Sequence, residues 1–222
     1  MVMVFKRVKV FLMVMLFSAS AAAENVSFSF ELRDKGGKVF EDAVVSLMPT
    51  DSSLIMPPPS GAVTEMEQKD KQFTPHILVV QKGQSVSFPN RDDIQHHVFS
   101  FSETKSFELQ LYKEDVPSPL VFDNVGDVEL GCSVHDWMLG YIKVVETPYF
   151  AKTDDQGRVY LQELPAGEYN LSVWHPRIVN KSNGFTMQVD VSKDVLLNHQ
   201  LEVDVLPPLL GFDSFEQDAE YQ

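Results

Sequence analysis

The apolar residues of this chain recur in short alternating runs, and no stretch sustains an apolar period of 3.6 residues. Residues 26–32, 85–88 and 185–191 are examples of such runs, and glycine-containing turns at 35–37 and 155–157 separate others. Alternation with a period of two buries one face of a β-strand. Many short strands with this punctuation predict an all-β fold built from β-sandwiches.

The charge of the chain limits its partners. The formal net charge is −14, and residues 1–23 contribute three basic residues and no acidic one, so the remainder is more acidic still. Nucleic acids and anionic membrane surfaces attract Lys and Arg, so this balance disfavours both. It suits a protein partner with a basic surface, reached by electrostatic steering. Solubility alone is the other explanation for so acidic a surface.

The first 23 residues have the three parts of an export signal. These parts are a basic start, an apolar stretch too short to span a bilayer, and a small-residue cleavage site: Lys6, Arg7 and Lys9, residues 10–17, and Ala21-Ala22-Ala23. We predict a signal peptide over residues 1–23, a mature chain that starts at Glu24, and a periplasmic location. No membrane span would be left after cleavage, and an uncleaved anchor is the alternative.

Cys132 is the only cysteine of the chain, although exported proteins usually pair their cysteines. It opens a Cys-x2-His-x2-Met run that contains His135 and ends at Met138, and a second source of imidazole, His96-His97, lies upstream. One thiolate, two imidazoles and a weak axial thioether are the ligands of copper sites that transfer electrons. A buried free thiol is the alternative, but the neighbouring histidine and methionine favour a metal thiolate.

The stretch from residue 63 to residue 145 resembles the plastocyanin and amicyanin family of cupredoxins. Residues 73–90 resemble the family's strand, turn and strand before the first ligand, and Asn90, Asp92 and His96 stand in the family's order. The resemblance implies a Greek-key sandwich that binds one copper ion, cycling between Cu(I) and Cu(II). The resemblance also implies the copper ligands, which are His96, Cys132 and His135 as strong ligands and Met138 as the weak axial ligand.

His97 departs from this family pattern, which usually has an asparagine after the first ligand histidine. Successive side chains of a strand face opposite sides, so His96 and His97 should not both bind the metal. We predict His96 as the ligand by the resemblance, and His97 remains the alternative. The replacement also leaves open the redox potential, because the usual bonding around the ligands has changed.

Residues 152–173 resemble the later half of a carboxypeptidase-regulatory or prealbumin-like β-sandwich. The segments Thr-Asp-x-x-Gly and Leu-Pro-x-Gly-x-Tyr carry this resemblance, and residues 34–47 resemble the first half of the same fold. We therefore hypothesise a small second sandwich that is interrupted by the cupredoxin domain. Two consecutive domains, with the first segment adding strands to the copper domain, are the alternative.

The predicted division of the chain has five parts. They are a signal peptide over 1–23, the first part of the prealbumin-like sandwich over 24–50, the cupredoxin domain over 51–148, the second part of the sandwich over 149–205, and an unstructured acidic tail over 206–222. This combination also resembles exported bacterial proteins of the methylamine-utilisation type, which implies a role as an electron acceptor.

The favoured function is a periplasmic copper protein that carries single electrons between redox partners. A non-redox copper-binding or delivery protein is the first alternative, and a structural or adhesive module is the second. We predict that the chain is not an enzyme, because its sequence shows no second cluster of metal ligands. The identity of the electron donor and acceptor and the oligomeric state stay open.

Overall fold

The computed structural model describes residues 25–208, which form β-strands and loops and contain no helix able to cross a membrane. The prediction of an all-β fold is confirmed. The predicted signal peptide and residues 209–222 of the predicted tail lie outside the described residues. The strands are β1 Asn25–Arg33, β2 Val44–Pro49, β3 Thr64–Glu65, β4 Glu67–Lys69, β5 Gln72–Thr74, β6 Ile77–Gln81, β7 Ser85–Ser87, β8 His96–Ser102, β9 Lys105–Tyr112, β10 Leu120–Val121, β11 Gly126–Gly131, β12 Leu139–Val145, β13 Phe150–Lys152, β14 Arg158–Pro165, β15 Gly167–Trp174, β16 Gly184–Val191 and β17 Val195–Gln200.

The strands from β3 to β12 form what we call the central sandwich. Its larger sheet has the order β6-β12-β11-β8-β9, its smaller sheet has the order β10-β7-β3, and β4 and β5 form a separate hairpin. Alternate residues of these strands point inward and share one apolar core, in which Phe88, Phe122 and Leu130 are almost completely buried. Cys132 and Met138 belong to the same core.

The remaining strands form what we call the flanking sandwich. One sheet has the order β14-β1-β17 and the other has the order β13-β2-β15-β16. The period-two pattern of β1 buries Phe28, Phe30 and Leu32, and these side chains meet Leu47 and Leu171 from the opposite sheet in a second apolar core. The two cores are separate, so each sandwich has its own source of hydrophobic stability.

Strand pairing joins the first segment of the chain to strands that follow the central sandwich. Strand β1 lies between β14 and β17, and β2 lies between β13 and β15. Val44 pairs with Lys152 and with Trp174, and Val45 pairs with Ala151 and with Val173. This pairing favours an interrupted sandwich over two consecutive domains, while the boundaries of the predicted division stay predictions.

The two sandwiches meet at one edge of the larger central sheet. A small apolar cluster there combines Val44 and Trp174 of the flanking sandwich with Ile77 and Val145 of the central sandwich. The indole Nε1 of Trp174 donates a hydrogen bond to Asp127 Oδ2 at 3.0 Å. This contact combines apolar burial with a partly buried indole hydrogen bond, so it joins β15 to β11 and its neighbours.

Candidate metal centre

Three side chains from two distant parts of the chain meet at one end of the central sandwich. His96 opens β8, and Cys132 and His135 lie on the loop between β11 and β12. The Cys132 Sγ lies 3.8 Å from His96 Nδ1 and 3.8 Å from His135 Nδ1. All three residues are buried, and one donor atom from each lies within 4.8 Å of the others.

The spacing of these donor atoms fits a single ion. Bonds from nitrogen and from sulfur to a first-row metal are about 2.0–2.1 Å and about 2.3 Å long, so one ion can bridge a sulfur and a nitrogen up to about 4.4 Å apart. Both sulfur–nitrogen distances fall within this limit at 3.8 Å. Two imidazoles and one thiolate in a buried pocket favour copper over the hard cations, which prefer oxygen ligands.

The imidazole of His96 is oriented from behind by Asp92. His96 Nε2 and Asp92 Oδ2 are 2.7 Å apart, which leaves Nδ1 directed at the sulfur of Cys132. Asp92 is itself held, because its carboxylate accepts hydrogen bonds from the backbone N–H groups of Asp70 at 2.7 Å and Lys71 at 2.9 Å. A carboxylate in this position sets the tautomer of a ligand histidine and makes the ligand more basic.

The loop that carries Asp92 and His96 is anchored by Asn90. The Asn90 side chain donates hydrogen bonds to the carbonyl groups of Ile94 at 2.8 Å and Tyr112 at 3.0 Å, and its oxygen accepts from the Asp92 N–H at 2.9 Å. The loop is thereby tied to the end of β9. His96 therefore enters β8 from a turn of defined shape.

The pKa values around the sulfur favour a thiolate. Burial alone would raise the pKa of Cys132, but hydrogen bonds from His96, from the backbone N–H groups of His97 and Val134 and from His135 outweigh it and lower this pKa to about 6. Burial opposes the charged form of His96, yet the neighbouring Cys132 and Asp92 raise its pKa above the ordinary value. A thiolate is the form that binds a metal, so the metal-free site is already prepared for it.

This electrostatic balance predicts the titration of the metal-free protein. We expect the ultraviolet absorbance of the thiolate to appear with a midpoint near pH 6, the pKa of Cys132, well below that of an ordinary thiol. The sign follows from the hydrogen bonds, which stabilise the charged sulfur and so favour loss of its proton. Absorbance titration of the metal-free protein measures this midpoint, and a value near that of free cysteine would contradict it.

Met138 and Trp137 complete the ligand loop. Met138 is 2 % exposed and packs in the same core as Cys132, and its backbone N–H donates to the carbonyl of His135 at 3.0 Å. This bond closes the turn that brings the methionine back under the loop. The half-buried Trp137 packs against the His135 ring at 5.3 Å between centroids.

His97 lies outside the cluster and makes different contacts. Its Nε2 is 2.9 Å from Glu108 Oε1, and its ring packs on Phe99 at 5.5 Å between centroids. Opposite orientation of neighbouring strand side chains explains why one histidine faces the cysteine and the other does not. The geometry thus favours His96 over His97 as the ligand, although the complete ligand set, including Met138, stays a prediction.

The other histidines take no part in the cluster. His76 is exposed and its Nδ1 lies 3.1 Å from the carbonyl of Leu139. His175 is buried and packs edge-on against Phe40, and His199 stacks on Phe185. Burial lowers the pKa of His175 to about 3, so this imidazole is neutral in the folded protein.

The side-chain partners of His96 and His97, which are Asp92 and Glu108, were not identified from the sequence. The interval of four residues between Asp92 and His96 is a local signal that could have identified the carboxylate as a partner. Glu108 is separated from His97 by a strand and a turn, and only strand pairing brings the two together.

Substitution of Asp92 tests whether its carboxylate orients the His96 ring. We expect Asp92→Asn to weaken copper binding about 10–100-fold, because an amide supports the ligand tautomer less well than a carboxylate does. Competition with a chelator measures the affinity. Asp93→Asn is the matched control, because Asp93 is fully exposed and is separated from its only described ion-pair partner, Lys113, by 3.8 Å. An affinity equal to that of the unmodified protein would show that Asp92 does not support the ligand.

Comparison with known proteins finds similarity among solved structures alone, since no family model and no curated protein matches this chain. A copper-containing nitrite reductase from Thermus scotoductus matches at 20 % identity with a TM-score of 0.36, covering 45 % of this chain and 25 % of that one. An amicyanin variant in its Cu(I) form matches at 16 % identity with a TM-score of 0.35, covering 46 % of this chain and 98 % of that one. A purple cupredoxin from Nitrosopumilus maritimus matches at 22 % identity with a TM-score of 0.32, covering 38 % of this chain and 99 % of that one.

These neighbours are cupredoxins, the family that the sequence resembles. Each covers less than half of this chain, and this chain spans about a quarter of the nitrite reductase.

Proposed function

We propose that this protein carries single electrons between redox proteins by means of one copper ion held by His96, Cys132 and His135, with Met138 as the weak axial ligand. The observation that carries the proposal is the approach of two imidazole nitrogens to within 3.8 Å of one buried sulfur. Copper bound by such ligands supplies one-electron exchange between Cu(I) and Cu(II).

The residues around the site perform the tasks that fast electron exchange requires. Asp92 holds the His96 ring, and the hydrogen bond between the Met138 N–H and the His135 carbonyl closes the ligand loop. The apolar core beneath Cys132 and Met138 excludes water. Donor positions fixed by strands and short loops change little between oxidation states, so little reorganisation opposes the transfer.

Two features of the site support a role as a carrier and not as an enzyme. Among residues 25–208, the three residues of this site are the single group of three or more His, Cys, Asp or Glu side chains spaced to hold a metal. The site is also buried, and the thioether of Met138, as the proposed axial ligand, would occupy a coordination position that an enzyme keeps open. We therefore propose that the chain transfers electrons and does not itself transform a substrate.

We also propose a periplasmic location and a basic protein partner. The location rests on the export signal in residues 1–23, and the partner rests on the formal net charge of −14. N-terminal sequencing of the exported protein should begin at Glu24. A chain that keeps its first residues would indicate an uncleaved anchor instead.

Copper loading tests the electron-carrier function. One equivalent of Cu(II) should produce an intense visible band from the thiolate, and a redox titration should bleach and restore this band reversibly with one electron. A colourless copper-loaded protein would overturn the proposal. A coloured protein that rapidly loses copper to a mild chelator and shows no reversible titration would instead be a copper-delivery protein. The zinc-loaded protein, which should remain colourless and redox-inactive, is the control.

A further inference from the structure

The outer face of the larger central sheet is only half covered by the flanking sandwich. Trp174 and Val44 cover the part of this face that belongs to β6 and β12, where they contact Ile77 and Tyr141. Trp174 also reaches Asp127 at the start of β11, but farther along this face Phe101 of β8, Glu108 of β9 and Glu129 of β11 are exposed.

Three rings form a continuous stripe along the uncovered part. His97, Phe99 and Phe101 are alternate residues of β8 and therefore share one face, with ring centroids 5.5 Å and 5.1 Å apart. We call them the aromatic stripe. Phe101 is 82 % exposed, and a groove of about 390 Å³ runs beside it, with Gly131 and Leu139 among its lining residues. His97 is buried and Phe99 is half-buried, so Phe101 is the exposed end of the stripe. An exposed aromatic ring that continues into a groove is typical of a protein interaction site.

The aromatic stripe contacts the backbone next to the candidate ligand. Phe99 pairs with Gly131, the residue immediately before Cys132. A Cβ atom at position 131 would lie 2.7 Å from Phe99 Cζ, so the ring lies directly on the peptide chain there and only glycine permits this contact. The surface of the stripe is therefore one residue away from the thiolate along the chain.

Carboxylates border the aromatic stripe. Glu108 pairs with Phe99 across the strands and so lies on the same face, and Glu129 lines the groove. Lys143, on the neighbouring strand β12, is paired with Asp127 and packs over the Trp174 ring at 4.9 Å. The border of the stripe is therefore acidic.

We propose that the aromatic stripe, together with Glu108 and Glu129, is the docking surface for a basic redox protein whose own contact area is apolar with a border of lysines. The acidic border selects this occupant, because carboxylates attract lysines and repel nucleic acid, anionic membrane and a second copy of this acidic chain. That the partner is a redox protein rests on the proposed function, whereas the docking itself is independent of bound metal. Docking forms and breaks no covalent bond.

Binding of a lysine-rich c-type cytochrome to the mature chain, metal-free and copper-loaded, tests this surface. At low ionic strength we expect saturable binding, measured by calorimetry. The NMR chemical shifts of backbone amides that change on binding should map to β8 and β11. Phe101→Ser should weaken binding about tenfold, because an aromatic residue at the centre of an interface contributes more than its neighbours do. Glu129→Gln should weaken binding several-fold and reduce its dependence on salt.

The matched control is Tyr160→Ser, which removes a similarly exposed ring (59 % exposed) from β14 of the flanking sandwich and should leave binding unchanged. Circular dichroism and thermal unfolding of each variant verify that it is folded. Absence of binding at low salt, binding that Phe101→Ser and Glu129→Gln leave unchanged, or self-association through the stripe in sedimentation would each overturn the proposal.

The failures of the two proposals are distinguishable. If the copper-loaded protein is colourless but the metal-free protein still binds the cytochrome through the stripe, the docking surface stands and the electron-carrier function fails. If the copper protein titrates reversibly but the variants bind as the unmodified protein does, the carrier function stands and this docking surface fails.

Discussion

Cys132→Ser should abolish the visible band of the copper-loaded protein and weaken copper binding by more than the roughly 10–100-fold that loss of an outer hydrogen-bond partner causes. A serine hydroxyl stays protonated where the thiol of Cys132, with a pKa lowered to about 6, gives a thiolate. The band arises from the sulfur, so no residue among the remaining donors can replace it. Absorption and paramagnetic-resonance spectra after addition of one equivalent of copper measure the effect.

The matched control for this substitution is Ser133→Ala, at the exposed neighbouring position of the same loop. It should keep both the band and the affinity. Met138→Leu should keep the band but change the redox potential, because the axial thioether binds weakly and tunes the site. An intense visible band in Cys132→Ser would show that copper binds elsewhere, and the proposed site would then be wrong.

Phe28→Ala should lower the free energy of unfolding by about 3–5 kcal/mol, the usual result of removing a buried aromatic ring. Phe28 is 0 % exposed and lies on β1, which is the central strand of its sheet. It packs in the core that residues from both ends of the chain share. Denaturant unfolding followed by circular dichroism measures the loss.

The control for this core substitution is Phe101→Ala, which removes the same ring from a position that is 82 % exposed and should change stability by no more than about 0.5 kcal/mol. The copper spectrum of Phe28→Ala should be unchanged, because Phe28 and Cys132 belong to different cores. If Phe28→Ala were as stable as the unmodified protein, β1 would not be an integral part of the flanking sandwich.

Much of the secondary structure could be predicted because alternation is a local signal. The run at residues 26–32 corresponds to β1 Asn25–Arg33, and the run at residues 185–191 corresponds to β16 Gly184–Val191. Very short strands such as β3 Thr64–Glu65 and β10 Leu120–Val121 escaped prediction. Two residues are too few to show a period, and these strands exist because β7 pairs with them.

The candidate site also combines residues that a local sequence pattern predicts with a residue whose role depends on the tertiary structure. Cys132, His135 and Met138 occupy one short loop, so their spacing alone suggested a common ion. His96 lies 36 residues upstream of Cys132, and the choice between it and His97 depends on which face of β8 turns toward the sulfur. The register of β8 against β9 shifts between His96 and Val98, and no local pattern in the sequence predicts this shift.

The sequence by itself determined the alternating strands, the donor atoms and the acidic charge, because each depends on residue types and short intervals along the chain. Tertiary structure alone decided that β1 and β2 complete a sandwich with strands beyond residue 149, that Glu108 contacts His97, and that Phe99 lies on Gly131 beside the thiolate. These contacts join residues that lie on different strands. They form only when strand register and sheet packing bring the residues together, and neither property is encoded in any single segment.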